Sequence, residues 1–181
     1  MAILVKVPET AAELDQMRAL MRAFTSWHRQ RHPLDLELID SYFDAEAFEQ
    51  ELASLPGEYG APAGRLLLAL VDGQPAGCVA LRRIDGAACE MKRMFVYPQY
   101  HGRGLGKALG EAVIAAARES GYRVMRLDTS IRQTEAQSLY ARLGFRPIAP
   151  YYELPDDLRS WLVFMELELQ DASGASARNA L

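Results

Sequence analysis

The residues of this chain best suited to binding chemistry are three glycines at alternate positions, Gly102, Gly104 and Gly106. They follow an apolar stretch, residues 94–97, and lead into a helix-like pattern that begins at Lys107. Such a turn exposes the unpaired N–H groups of a helix's first turn, which together with the helix dipole favour a negatively charged group such as a phosphate. Glycine lets the backbone approach that group closely because it has no Cβ. The segment therefore predicts an anion-binding turn.

Two common phosphate-binding loops do not fit the spacing of these glycines. A dinucleotide fingerprint, G-x-G-x-x-G, that began at Gly102 would require glycine where the chain has Lys107. A Walker P-loop that ended at Gly106 and Lys107 would require glycine at His101 and serine or threonine at Ala108. Spacing therefore excludes both of these nucleotide-binding loops.

The pattern that remains resembles the Q/R-x-x-G-x-G/A signature of the GNAT acyltransferase superfamily, with His101 in its first position. Residues 136–145 carry a frequent companion of that signature, Ala-x-x-Leu-Tyr-x-x-x-Gly-Phe. The resemblance covers roughly residues 3–169. It implies an N-acetyltransferase that moves an acetyl group from acetyl-CoA to a primary amine by direct attack in a ternary complex, without a metal.

The resemblance also implies which residues hold acetyl-CoA. The backbone around Phe95 and Val96 would pair with the pantetheine arm like an added strand, and the glycine turn would hold the pyrophosphate. Two positions depart from the family pattern, since His101 replaces Gln or Arg and Gln133 stands where Asn is frequent. The full set of implied cofactor-binding residues is Met94, Phe95, Val96, His101, Gly102, Arg103, Gly104, Leu105, Gly106, Lys107, Gln133 and Tyr140.

Glu90 is the candidate base. A lysine-like amine with a pKa of about 10.4 is almost wholly protonated at neutral pH, so a base must take its proton before it can attack. Period-2 alternation places Glu90, Lys92, Met94 and Val96 on one face of a strand. Some GNAT enzymes carry a catalytic glutamate at this position. The alternatives are an ion pair of Glu90 with Lys92 or Arg93, and a base or water chain elsewhere.

Tyr140 is the candidate acid by its match to the family motif. A phenol with a pKa near 10 can give a proton to a departing thiolate and regain one from water. The alternative is a packing role beside Leu139 and Leu143 on a helix face. A backbone N–H near Val96 would polarise the thioester carbonyl.

The acceptor amine is expected to belong to a small molecule, such as an amino acid, or to a protein. Candidates for the wall of its pocket are Trp27, Tyr42, Phe43 and Tyr59, with core packing as the other role. The alternative function is a non-catalytic acyl-CoA-binding sensor or regulatory module. A homodimer is a further expectation, because many family members are dimers.

Hydrophobic periodicity predicts the elements that position these residues. A capping box from Thr10 to Glu13 begins a long first helix that ends before Pro33, and Asp44 caps a second. A helix follows the glycine turn, and another begins with a capping box at Thr134. The predicted strands are residues 3–7, 66–71, 76–84, 88–96, 123–129 and 162–169.

These elements indicate an α+β, or mixed α/β, fold class. A strand, the glycine turn with its helix, and a second strand imply one parallel crossover, while residues 66–96 read as an antiparallel meander. The family resemblance implies a central, mostly antiparallel sheet flanked by helices. We expect one domain over residues 1–170 and a disordered tail over 171–181, because the tail is small and polar.

Composition narrows the partners and the compartment. A net charge of -4 and a pI of about 5.4 argue against a nucleic-acid partner. No apolar run approaches the roughly 20 residues that span a bilayer, and Lys6 cuts the N-terminal apolar stretch too short for a signal peptide. We therefore expect a cytoplasmic protein without a membrane partner. His28 and His32 have metal-ligand spacing, but Arg29 stands where a metalloprotease needs glutamate, so no metal is expected.

The two cysteines are not expected to form a disulfide. If residues 85 and 86 form a two-residue hairpin turn, Cys78 lies opposite Arg93 and Cys89 lies opposite Arg82. That register leaves the two sulfurs several residues apart, so both cysteines are expected to be small buried hydrophobic residues.

Overall fold

The structure, a computed structural model, describes residues 1–169 and contains a seven-stranded sheet. The strand order is β1-β2-β3-β4-β5-β7-β6, and every neighbouring pair is antiparallel except β4 and β5. This confirms the fold class and the parallel crossover. The tail expected over 171–181 lies outside the described residues. The strands are β1 Ile3–Lys6, β2 Arg65–Val71, β3 Gln74–Arg83, β4 Ala88–Val96, β5 Val124–Ser130, β6 Arg146–Ile148 and β7 Leu162–Glu168.

Six helices accompany the sheet in the described part of the chain. Residues 1–169 contain no helix long and apolar enough to cross a membrane. The sequence did not indicate α2, α6 or β6, because elements this short show little periodicity. The helices are α1 Ala11–Arg31, α2 Leu36–Tyr42, α3 Ala45–Ala53, α4 Leu105–Glu119, α5 Thr134–Arg142 and α6 Asp156–Trp161.

The caps of the helices agree with the sequence at α1 and α3 but not at α5. The Thr10 hydroxyl accepts from the Glu13 N–H at 3.1 Å, which confirms the first capping box, and the Asp44 carboxylate caps α3. The capping box predicted at Thr134 is wrong. Thr134 is already the first helical residue, and Gln137 donates to the Ser130 carbonyl at 3.0 Å instead of to the helix start.

Helices cover both faces of the sheet, and strand alternation decides which side chains meet them. On one face, α4 packs against Leu67, Val79 and Met91. On the other face, α1 and α3 pack against Leu66 and Leu68. A smaller cluster joins α2, α6 and β7 through Ile39, Leu158, Trp161 and Phe164. Helices therefore cover both faces of the sheet.

A bulge in β4 overturns the prediction made from strict alternation. Ala80 pairs with Lys92 but Cys78 pairs with Phe95, so β4 contains one extra residue, and Arg93 takes a left-handed φ of 57°. Glu90 precedes this bulge, whereas Met94 follows it and packs on the α4 face. The prediction that Glu90 and Lys92 share a face with Met94 and Val96 is therefore wrong.

The predicted cysteine register is wrong because the hairpin turn is longer than expected and because of the same bulge. Cys78 lies opposite Phe95 rather than Arg93, and Cys89 lies opposite Arg83 rather than Arg82. The turn is one residue longer than expected, because the Ile84 N–H donates to the Ala88 carbonyl at 2.9 Å, and the bulge adds another residue. Both cysteines are free and buried, as predicted.

Candidate active site

The glycine turn has the backbone conformation that the sequence predicts. Gly102 and Gly104 have φ values of 74° and 83°, a region that side chains disfavour, and a Cβ at either position would meet only open space. Gly104 is the N-cap of α4 and no side chain caps this end of the helix. The first-turn N–H groups of α4 are thus available to an anion.

A groove of about 450 Å³ lies in front of this turn. Aromatic and basic residues from α1, Trp27 and Arg31, form part of its wall, and Arg142 of α5 lies at its edge. The structure brings together in this groove ten of the twelve predicted cofactor-binding residues, namely Met94, Phe95, Val96, His101, Gly102, Gly104, Leu105, Gly106, Lys107 and Gln133.

The other two predicted cofactor-binding residues lie elsewhere. Arg103 does not line the groove, and its guanidinium sits 5.7 Å from the centre of the Tyr100 ring. Tyr140 lines a neighbouring cavity. His101 borders the groove, but its Nε2–H donates to the Val96 carbonyl at 2.8 Å, so the imidazole ties the turn to the end of β4. This hydrogen bond occupies the Val96 carbonyl, which a pantetheine arm bound like an added strand would otherwise use as an acceptor.

The neighbouring cavity that Tyr140 lines, called the cavity below, lies where β4 and β5 separate. Their parallel pairing ends at Glu90 and Arg126. Beyond these residues β4 remains paired with β3, and β5 remains paired with β7. The cavity has a volume of about 50 Å³. Ligands of parallel strands commonly bind beyond their carboxyl ends, which is where this space lies. Its polar and ionisable lining residues are His28, Tyr42, Lys92, Arg93, Asp128, Thr129, Ser130, Gln133 and Tyr140.

Tyr140 is buried in the wall of this cavity. Its ring packs edge-on against Phe145, with 5.9 Å between the ring centres. Burial, and next the negative charge of Asp128, raise the pKa of the Tyr140 hydroxyl. The hydroxyl therefore stays protonated at neutral pH, as a proton donor must, while the ring also packs in the core.

Glu90 lies outside the cavity. Its side chain is buried, and its two oxygens accept from the Arg82 guanidinium at 2.7 Å and from the Tyr151 hydroxyl at 2.5 Å. The Lys92 ammonium lies 3.9 Å from the same carboxylate. The ion pair that the sequence offered as the alternative role of Glu90 is thus present, although its main partner is Arg82.

A carboxylate that the sequence reasoning missed, Asp128, does line the cavity. It lies near the end of β5, and its oxygens accept from the hydroxyls of Tyr42 and Tyr152, the latter at 2.5 Å. Lys92 donates to the Tyr42 hydroxyl at 2.9 Å and lies 3.9 Å from Asp128. The available signal was the position of an acidic residue at the carboxyl end of a parallel strand.

A second pocket, of about 510 Å³, shares no lining residue with the groove. Tyr42, Lys92 and Arg93 line both this pocket and the cavity. Of the aromatic residues expected to wall an acceptor pocket, Tyr42 lines it, Phe43 lines the cavity and Trp27 lines the groove. The other lining residues include Arg82, Arg83, Glu58, Glu90, Tyr151 and Tyr152.

Tyr59 packs in the core instead. Its side chain is 1% exposed, and its hydroxyl donates to the Glu51 carboxylate. The same carboxylate accepts from Arg93 at 2.9 Å, so these residues fix the bulge of β4 against α3. The described residues contain no cluster of three or more His, Cys, Asp or Glu side chains placed to hold a metal ion.

Comparisons with known proteins agree with this geometry. The sequence model of the Acetyltransferase (GNAT) family matches residues 15–145. An uncharacterized N-acetyltransferase of Schizosaccharomyces pombe is 33% identical over 91% of this chain and 92% of its own length. The N-acetylaspartate synthetase of Danio rerio is 34% identical over 72% of this chain, which spans only 47% of that relative.

A solved structure shares the fold. The PaiA N-acetyltransferase of Thermoplasma acidophilum, in complex with coenzyme A, superposes with a TM-score of 0.69. The match covers 93% of this chain and 99% of that one, at 18% identity. At this level of identity the likeness supports the architecture alone.

Proposed function

Because the chain belongs to the Acetyltransferase (GNAT) family, we propose that it transfers an acetyl group from acetyl-CoA to a primary amine, by direct attack of the amine in a ternary complex. The observation that carries the proposal is the glycine turn at the start of α4. It borders a groove whose lining residues Met94 and Gln133 also line the cavity at the split of β4 and β5.

The residues of the groove fit acetyl-CoA on chemical grounds. The turn at Gly102 and Gly104 presents N–H groups to a pyrophosphate, and a Cβ there would project into space that the ligand needs. Lys107 and Arg142 add positive charge around the groove, while Arg31 is paired with Glu135, which also lines it. Bound acetyl-CoA supplies a thioester whose carbonyl carbon can accept a nucleophile.

Tyr140 is the group we assign to protonate the sulfur that leaves. A phenol is protonated at neutral pH even at its ordinary pKa of about 10, and the residue lines the cavity together with Met94 and Gln133. A backbone N–H near Val96 would polarise the carbonyl of the thioester. No metal takes part in these steps, since an amine and a thioester react without one.

The acceptor is proposed to enter through the second pocket. A pocket of about 510 Å³ suits a small molecule, and Arg83 at its wall favours an amine that also carries a carboxylate, whereas Arg82 is already paired with Glu58 and Glu90. The name of the N-acetylaspartate synthetase relative is consistent with an amino-acid acceptor. We therefore propose an amino-acid-like acceptor, ahead of a protein amine.

A screen of amines with acetyl-CoA tests this function. Purified protein is mixed with acetyl-CoA and one amine at a time, and free thiol is measured as coenzyme A is released. The set contains L-aspartate, L-glutamate, L-lysine, a polyamine and a peptide with a free N-terminus. Thiol release that rises with one acceptor class, above the rate without amine, is the expected result.

The same screen separates the enzyme from a non-catalytic sensor. Acetyl-CoA should raise the melting temperature in both cases, because each binds the ligand. If acetyl-CoA stabilises the protein and no amine class raises thiol release above background hydrolysis, the proposed enzyme gives way to the acyl-CoA-binding sensor. If acetyl-CoA has no effect on melting, both functions fail.

A further inference from the structure

The cavity at the strand split is the place where the groove and the second pocket meet. It shares Met94 and Gln133 with the groove, and Tyr42, Lys92 and Arg93 with the second pocket. Because the groove and the second pocket share no lining residue with each other, a group held in the groove and an amine that enters through the pocket would meet at this junction. A base for the amine must have an oxygen or nitrogen on the wall of this space.

Asp128 is the one carboxylate among the cavity-lining residues of the described chain. Its side chain is 2% exposed and its position is fixed from three sides, by Tyr42, Tyr152 and Lys92. Each hydroxyl uses one lone pair of one oxygen, and a carboxylate has about four acceptor sites, so Asp128 can still accept a proton. Glu90 occupies the last paired position before the split and does not line the cavity.

We propose that Asp128, and not Glu90, takes the proton from the acceptor ammonium. This inference rests on the proposed acetyl transfer. One N–H bond of the ammonium breaks and its proton passes to Asp128. The nitrogen lone pair then forms the C–N bond, and the C–S bond breaks with its electron pair on sulfur. Tyr140 gives its proton to that sulfur, the second proton lost from nitrogen passes through water to the Tyr140 oxygen, and Asp128 returns its proton to solvent.

Tyr42, Tyr152 and Lys92 are positioning residues in this scheme. The two hydroxyls orient the Asp128 carboxylate, and the ammonium of Lys92 balances its charge in a buried site. Arg82 balances Glu90 in the same way. Lys92 beside Asp128 and Arg93 paired with Glu51 leave the junction close to neutral before the substrate arrives. An acceptor that arrives as a cation therefore meets an oriented carboxylate and no net repulsion.

The test compares Asp128→Asn with Glu90→Gln in the thiol-release assay, using L-aspartate or, if that is inactive, the amine of the screen that releases most thiol. Glu166→Gln is the matched control. Glu166 lies on β7, the neighbour of β5, and pairs with Arg126, and it lines neither the groove, the cavity nor the second pocket. We expect Asp128→Asn to lower kcat by roughly 100-fold or more while acetyl-CoA still stabilises the protein. The kcat of Glu90→Gln should stay at least about tenfold above that of Asp128→Asn, and the kcat of Glu166→Gln should match that of the wild type.

A second readout does not depend on turnover. In protein labelled with carbon-13 at the aspartate carboxyl carbons, the Asp128 resonance is identified by its loss in Asp128→Asn. The acceptor amine is then added in the presence of coenzyme A, which cannot donate an acetyl group. The Asp128 resonance should shift as its carboxylate meets the amine, whereas a resonance that stays in place would overturn the inference.

Tyr152→Phe tests the inference if Asp128→Asn does not fold, because it removes one hydrogen bond at a partly exposed ring. Loss of a donor to the charged carboxylate favours its protonated form, so the acidic limb of the kcat/KM profile should move to higher pH. His28, Tyr42, Lys92 and Tyr140 also face the cavity and are unchanged in this variant. An unchanged profile would count against Asp128.

The outcomes separate this inference from the function on which it rests. If wild-type protein acetylates none of the amines, the proposed function and the role of Asp128 both fail. If the wild type is active while Glu90→Gln loses more activity than Asp128→Asn, only the assignment of the base fails and Glu90 takes its place.

Discussion

Gly104 and Gly121 have nearly the same backbone conformation but different surroundings. Their φ values are 83° and 81°, and a Cβ at either position would meet nothing within 4 Å. Gly104 borders the groove, whereas Gly121 follows α4 at its far end. The two glycines therefore allow backbone strain to be separated from ligand contact.

We expect Gly104→Ala and Gly121→Ala each to lower the free energy of unfolding by about 1 kcal/mol, because both force alanine into the left-handed region. Only Gly104→Ala should also weaken acetyl-CoA binding, by roughly tenfold or more, since its Cβ enters the anion cradle. Denaturant unfolding and calorimetric titration measure the two effects. Equal affinities in both variants would show that the turn does not hold the cofactor.

Tyr140 and Tyr122 form a second matched pair. Both side chains are buried, but Tyr140 lines the cavity, while the Tyr122 hydroxyl donates to the Ala63 carbonyl at 2.6 Å, away from the groove. We expect Tyr140→Phe to lower kcat by roughly 100-fold with little change in the KM for acetyl-CoA, because it removes only the proton donor. Tyr122→Phe should lower stability by about 1 kcal/mol and leave kcat unchanged. Full activity in Tyr140→Phe would reduce Tyr140 to a packing residue.

At the level of elements, the bulge of β4 decides which side chains reach the site. Arg93 in its left-handed conformation is held by Glu51 and lies over the rings of Phe43 and Phe48. Beyond the bulge the side chains change faces, so Met94 points to the α4 side while Glu90 and Lys92 do not. This single extra residue places Glu90 and Met94 on opposite faces of the sheet, whereas strict alternation places them on the same face.

The helix starts offer a test at the same scale. Thr10 caps α1 through the Glu13 N–H, whereas Thr134 is the first residue inside α5 and provides no cap. We expect Thr10→Ala to lower the free energy of unfolding by about 1 kcal/mol. Thr134→Ala should change it by less than about 0.5 kcal/mol. Urea unfolding of both variants measures this difference, and an equal loss would mean that Thr134 caps α5 after all.

At the level of the whole molecule, His28 connects α1 to the region around α6. Its side chain is 2% exposed and its ring stacks on Trp161, with 5.7 Å between the ring centres. Burial, with a smaller contribution from His32, lowers the pKa of His28 to about 4. The folded protein therefore holds this histidine neutral through the physiological pH range.

This buried histidine makes stability depend on pH. An unfolded-chain histidine has a pKa of about 6.5, so between pH 6.5 and about 4 the unfolded chain binds a proton that the folded chain does not. His28 therefore has its full stabilising effect on the free energy of unfolding above pH 6.5, and this effect is lost as the pH falls towards 4. From pH 7 to 4 we expect the free energy of unfolding to fall by on the order of 2 kcal/mol more in the wild type than in His28→Phe.

Phenylalanine is the right replacement because it can keep the stacking with Phe24 and Trp161. The carboxylates and the titrating groups away from His28 are common to both proteins, so their contributions cancel in the difference. His32, whose ring centre lies 5.1 Å from that of His28, is a coupled neighbour, and His32→Phe measured alone gives its share. Unfolding curves measured from pH 4 to 8 give the two slopes. Parallel slopes would show that His28 is not held neutral by the fold.

The sequence by itself determined the elements whose signals are local. The glycine spacing, the caps at Thr10 and Asp44, and the apolar periodicity depend on neighbours within a few residues, so the strands, the long helices and the anion-binding turn could be predicted. The family resemblance extended this to the groove, where ten of the twelve predicted cofactor-binding residues lie together. Their contact with the cofactor stays a prediction.

Only the tertiary structure decided which ionisable groups meet. Asp128 joins Tyr42 from α2, Tyr152 from the segment before α6 and Lys92 from β4, at sequence separations that no local pattern connects. The bulge at Arg93 likewise depends on pairing across β3 and β4, because register is a property of two strands and not of one. The turn could be predicted from one short segment, but the surroundings of Asp128, the base proposed above, depend on four segments folded against each other.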